Sequence, residues 1–470
     1  FFRKEKSKFS YFFNHTYLKA FIPSSINKET FDNNPQAGAP TWVASKGFKQ
    51  YKSVLGGLSY EFEISKNLNN ATSVFINYKD NNEPRPFDVL RQYNFAYGAR
   101  TAFTGNFTIG KTKSNFNFGL EYFRDDYTGR TLENLYEDNN GLGSLEGNKL
   151  TQNNQKRNFY NAFAQMLFAF SEQLELQTGL NINKTVFELD TTFPTEDAFK
   201  ESYSYDAIWS PQLSFLYKPN RFQTLYISAS RGFSLPSVEE TLTANGTINS
   251  NIKPESGYNF EAGGKFYFLN KRLYTEFSIY SMQIKDLLVA QRIGDDQYVG
   301  INAGQTLHQG MELSADYTIK VNNFLAINPF VSASIGKYEF KEFIDNENDF
   351  SGNELTGVPA NKANAGITFN TKIGLYLSAD YQFVDEIPLN DANSVYSDSY
   401  EIINLKTGYN FELFKGFTSK IAFGVNNISN ERYASMVLVN ATAFGNATPR
   451  YYYPGLPVNY YGNVSFEYVF

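Results

Sequence analysis

Apolar and polar residues alternate along most of this 470-residue chain, and a period of two commits a backbone to β-strands. In the last stretch Tyr460, Gly462, Val464, Phe466, Tyr468 and Phe470 share one parity. Asn459, Asn463, Ser465 and Glu467 hold the other. Leu58, Tyr60, Phe62 and Ile64 alternate in the same way with Ser59, Glu61 and Glu63. So do Leu174, Leu176, Leu180 and Ile182 with Glu175, Gln177, Asn181 and Asn183. No region of similar length carries a helical period.

Roughly 18 segments read as strands by this rule, centred near residues 14, 58, 75, 101, 121, 164, 180, 212, 227, 262, 281, 308, 332, 366, 380, 405, 423 and 464. Their links are sorted by length. Ser65–Asn69, Gly110–Ser114, Phe170–Glu172, Lys218–Arg221, Leu269–Lys271, Val321–Asn323 and Leu413–Gly416 are tight turns. Phe21–Gln50, Arg124–Arg157, Asp190–Tyr205, Phe233–Pro254, Glu342–Asn361 and Ser429–Pro457 are long and polar. Soluble sandwiches and propellers have no reason to keep long loops at one end, and no fixed-period repeat is present. Transmembrane barrels sort them, with short periplasmic turns and long extracellular loops. The fold expected is an antiparallel, all-β transmembrane barrel of the bacterial outer membrane, in one domain over residues 1–470. The last strand then runs inward, and both chain ends are periplasmic.

Composition agrees. Phe (45), Tyr (34) and Trp (2) make up 17% of the residues, as aromatic girdles at two interfaces require. Mean hydropathy is −0.42, and no apolar run reaches the ~18 residues that a membrane helix needs. Zero cysteines exclude disulfides and thiolate chemistry, and two histidines, His15 and His308, are too few for most zinc or triad sites. A net charge of −6 argues against a nucleic-acid partner.

Few motifs suggest chemistry. Gly105–Thr112 matches G-x-x-x-x-G-K-[ST], but Phe116, Phe118, Leu120 and Tyr122 follow with strand period where a phosphate loop must open a helix. Gly110–Ser114 is therefore read as a hairpin turn. Asp345, Glu347 and Asp349 are spaced like calcium ligands, yet Phe350 stands where such a loop needs glycine, so a solvated acidic loop is expected. No catalytic constellation is found, and no enzyme, metal site or cofactor is expected.

The C-terminal half holds more specific blocks. Ser228–Ser237 (SASRGFSLPS) is followed by Asn251–Glu261 (NIKPESGYNFE), Ile284-Lys285-Asp286 and Asn302–Glu312 (NAGQTLHQGME). Then come Val425–Ile428 before Tyr433, the run Tyr451–Pro457 and the terminal Phe470. In this order and spacing the series resembles the barrel of TonB-dependent outer-membrane receptors, from about residue 8 to 470.

The resemblance implies a 22-stranded barrel filled by an N-terminal plug, which imports a scarce ligand with energy relayed by TonB. The chain opens on Phe1-Phe2-Arg3-Lys4, without plug, TonB-box segment or signal peptide. It reads as a piece that begins near the fifth strand, with TonB acting through the missing N-terminal region. The ligand class implied is a ferric chelate of the siderophore type. Haem is disfavoured because Leu235 to Asn251 contains no histidine, whereas vitamin B12, nickel chelates, citrate-bound iron and glycans stay open as ligands. The alternative is a passive, 18-stranded porin. Expected partners are outer-membrane lipid and the metal-chelate ligand. For an anionic chelate the candidate ligand-binding residues are Arg450 with Tyr451, Tyr452 and Tyr453, Arg130 in the longest loop, and Arg85 and Arg91 in a loop Asn81–Gln92. Arginine suits this work because its planar fork pairs carboxylates bidentately and stacks on rings.

Overall fold

Each expected strand centre lies on a long strand of the computed structural model, which describes residues 2–237, 240–241, 249, 251–294, 297–345, 348–441, 443 and 447–468. Among these residues the main sheet has 21 strands. Three are short (Phe2–Lys4, Phe199–Ser204 and Ile319–Lys320), which leaves 18 long ones. Each long strand pairs antiparallel with the next in the chain, an up-and-down wall. Among the described residues no pairing joins the Asn459–Tyr468 strand to Phe2–Lys4 at the opposite edge. Phe470 lies outside the described residues.

The two faces follow from the parity. Leu58, Tyr60, Phe62 and Ile64 are all exposed, as are Val74, Ile76 and Tyr78 on the neighbouring strand. Side chains on this apolar outer face stand towards lipid, while backbone groups are paired within the sheet. The inner face is polar, and it packs by placing a ring over a cross-strand glycine. Tyr280 lies opposite Gly310, and a Cβ added there would come within 2.6 Å of the Tyr280 hydroxyl. Tyr376 lies opposite Gly408 with the corresponding distance at 2.5 Å. Glycine is needed at both positions for close approach.

The links show two departures. Asn81–Gln92 is not a loop: strands Leu68–Arg85 and Asp88–Ile109 continue to a two-residue turn at Pro86 and Phe87. Their registered pairing reaches Arg85↔Asp88, so inter-strand bonds override a polar sequence that otherwise resembles a loop. Likewise Arg130 lies on strand Thr112–Asn134, and the link after it is only 135–145. Conversely, residues 385–399 form a long link that the parity reading missed. The Gly110 turn is as expected, between strands ending at Ile109 and starting at Thr112, with Gly110 at φ +58°.

Candidate functional site

The loops at one end of the wall share an apolar core. Ile26 and Phe31 come from the link after strand Ser7–Phe21, Leu389 from 385–399, and Ala441, Tyr451 and Tyr452 from the last long link. Asn27 caps the short helix Lys28–Asn33, its Oδ1 accepting from the Thr30 amide at 2.9 Å, and this turns Phe31 inward. Phe31 stacks on Tyr452 at 4.8 Å. Lys28 Nζ lies 5.5 and 5.8 Å from the two ring centres and pairs with Asp32 at 2.8 Å and Asp398 at 2.9 Å. Arg432 donates to the Asp32 carbonyl.

Asp391 ties a further loop into this cap. Its carboxylate accepts from Thr356 Oγ1 at 2.5 Å and Asn440 Nδ2 at 2.9 Å, and its carbonyl accepts from Asn353 Nδ2 at 2.8 Å. Burial raises the Asp391 carboxyl above its ordinary range, although both side-chain donors pull the other way. Burial likewise raises the Tyr451 and Tyr452 phenols, so both stay neutral.

The seven candidate residues fall into two groups. Tyr451 and Tyr452 are 8% and 2% exposed, inside the cap core, whereas Arg450 and Tyr453 beside them are half-buried. The second group sits at the far ends of three strands. Arg85 forks onto Asp88, Nε to Oδ1 at 2.7 Å and Nη2 to Oδ2 at 2.6 Å. Arg91 donates from Nε to Glu146 at 2.9 Å. Arg91 and Arg130 are direct cross-strand partners. They share the parity of Tyr93, Phe95 and Tyr97, the outer face, while Arg85 is on the inner one. The Arg130 Nε is buried and meets no acceptor among the described residues.

Residues 5–428 match the family described as TonB dependent receptor-like, beta-barrel. The chain belongs to this family. A curated relative, the probable TonB-dependent siderophore receptor PiuA of Acinetobacter baumannii, is 22% identical over 86% of this chain. The chain spans 63% of that relative's length. Among solved structures, the PiuA receptor of A. baumannii is similar with a TM-score of 0.72 at 15% identity, over 98% of this chain and 71% of its own. The unliganded ferric citrate transporter FecA has a TM-score of 0.79 at 15% identity, covering 99% of this chain and 68% of its own. At such identities these structures establish the fold.

As a TonB-dependent receptor barrel, the chain is a protein of the bacterial outer membrane. Two parts of its interior escaped the sequence reading. Arg157, 7% exposed on the inner wall, lies over the Phe187 ring at 4.7 Å. It donates to the Pro236 carbonyl at 2.8 Å and to Thr241 Oγ1 at 3.0 Å, pinning the start of the next long link. Its parity with Asn161, seen through Phe159, was the available signal. Asp391 was signalled only by the turn-rich run Pro388, Asn390, Asp391 and Asn393. Of the calcium-like triplet, Asp345 and Asp349 lie on two short paired strands, and Glu347 lies outside the described residues. Among the described residues no group of three or more His, Cys, Asp or Glu could hold a metal.

Proposed function

We propose that this chain is most of the barrel of an importer for a ferric chelate of the siderophore type, energised by TonB through an N-terminal region. The observation that carries the reading is the interlocked loop cap over a polar inner wall, within a TonB-dependent family. Relatives bearing the printed names siderophore receptor and ferric citrate transporter support the ligand class. In the whole protein a 22-stranded wall would enclose the lumen, and membrane lipid would surround it.

Arg450 and Tyr453 are the contacts of the last loop with the chelate, one supplying a fixed cation and the other a ring face. Tyr451 and Tyr452 act behind them, holding the loop in place. Arg130, on the outer parity of its strand, reaches the chelate only over the rim of the wall and is a weaker contact than Arg450. Arg85 and Arg91 reach a ligand only by releasing Asp88 and Glu146, so they contribute less.

The test is growth under iron limitation, with ferric citrate, a ferric catecholate or a ferric hydroxamate as the iron source. Cells carrying the full-length gene should grow on at least one chelate that cells lacking it cannot use, and only with TonB present. Uptake of small solutes that is indifferent to TonB and to iron would favour the passive porin instead.

A further inference from the structure

The outer face holds a dent with a cation at its rim. Across strands Ile208–Asn220, Gln223–Ser234, Glu255–Phe268 and Leu273–Gly294 runs a groove of about 500 Å³. Leu213, Ala229, Phe260 and Ser281 are successive cross-strand partners at one level of the wall. Phe215, Ile227, Ala262 and Ile279 are partners at the next level. Small side chains at Ala229 and Ala262 leave the floor low between large neighbours.

Arg231 follows Ala229 on the same parity, one step nearer the loops, and so it also stands on the lipid side. Its guanidinium donates to the Trp209 carbonyl at 3.2 Å and lies 5.9 Å from the Tyr258 ring centre. Trp209 and Tyr258 are both exposed, as aromatic residues at a membrane interface are. The Arg231 Nε is buried and meets no acceptor, and no carboxylate pairs with this side chain among the described residues. Arg124, on the same outer face, has its own partner in Asp126 at 3.0 Å. An arginine turned towards lipid without a carboxylate is tolerable at the interface, where a phosphate can supply the missing charge.

Taking the outer face to be a membrane face, we propose that this groove seats one acylated, phosphate-bearing lipid of the outer leaflet. Its phosphate lies on Arg231, between Trp209 and Tyr258, and one acyl chain crosses Ala229 and Ala262. The charge complementarity at the rim selects this occupant over a second copy of the chain.

Native mass spectrometry tests the seat on full-length protein purified from outer membranes, with added diphosphoryl lipid A and its dephosphorylated form as probes. Wild type should retain the phosphorylated probe, and Arg231→Gln should weaken retention about tenfold. Ala229→Phe, which fills the groove, should do the same. Arg231→Lys should keep most of the binding. Arg221→Gln, at a tight turn on the other end of the wall, should not change it. Heat-modifiability on a gel shows that each variant is folded. Equal retention by folded Arg231→Gln and wild type, or equal retention of the two probes, would overturn the proposal. Iron uptake is not read, so the outcome is independent of the ligand class proposed above.

Discussion

Ile26 and Tyr452 exchange both backbone hydrogen bonds, at 2.9 and 3.0 Å, although one lies in the first long link of the chain and the other in the last. The two links spring from strands near opposite edges of the sheet. What the wall does not join by strand pairing, the loops join above it. Tyr452 is the centre of that junction, since its ring also stacks on Phe31.

The cap should therefore depend on Tyr452 more than on its neighbour. Tyr452→Ala removes a buried ring and should loosen the loops by about 3 kcal/mol. Tyr453→Ala, at a half-buried position, should cost much less. Protease added to intact cells should cut the Tyr452→Ala loops far faster. Similar cleavage of the two variants would show that Tyr452 does not organise the cap.

Ligand capture can then be separated from loop folding. Arg450→Ala combined with Tyr453→Ala leaves the buried pair Tyr451 and Tyr452 intact. Binding of the transported chelate to cells should weaken about tenfold, or ~1.4 kcal/mol, at matched surface abundance. Unchanged binding would take this loop out of the site.

The facing of the last strand is open to a direct comparison. Phe466 is 66% exposed and belongs to the apolar outer parity, while Ser465 is on the inner one. Phe466→Arg should cost roughly 2–4 kcal/mol near the bilayer midplane and less towards an interface. Ser465→Arg should be much milder. Refolding into lipid vesicles measures both, and equal losses would refute the parity.

Asp391 makes the cap sensitive to pH in a defined direction. Its carboxyl is raised in the folded cap by burial, so the unfolded loop ionises first as pH rises. Below the ordinary aspartate value of about 4 the group has no net effect on the equilibrium. Between that value and its raised folded value the cap loses stability, and above the folded value the loss is complete. Asp391→Asn should abolish this slope while keeping an acceptor for Thr356 or Asn440. Hydrogen exchange of the 385–399 amides as a function of pH reads it, and a slope that survives in the variant would assign the effect elsewhere.

Much of the wall was legible in the amino-acid order alone. Strand period is a local property, so residues such as Leu58, Tyr60 and Phe62 declare their face without reference to any partner. The positions of the 18 long strands, the Gly110 turn and the sorting of most links followed from it. Where pairing partners decided the outcome, local reading failed. Asn81–Gln92 is polar enough for a loop, yet registered bonds to the flanking strands extend it into a hairpin.

Side-chain company is the part that only the tertiary structure decided. Nothing local to Arg91 and Arg130 shows that they are cross-strand partners, or that Glu146 takes up Arg91. Nothing in the run Tyr451–Tyr453 tells which rings are buried, because Ile26, Phe31 and Leu389, which bury two of them, come from distant links. Alternation sets the direction in which each side chain points. Which group it meets there is set by register and loop packing across hundreds of residues, and those depend on free-energy differences that no short window of sequence contains.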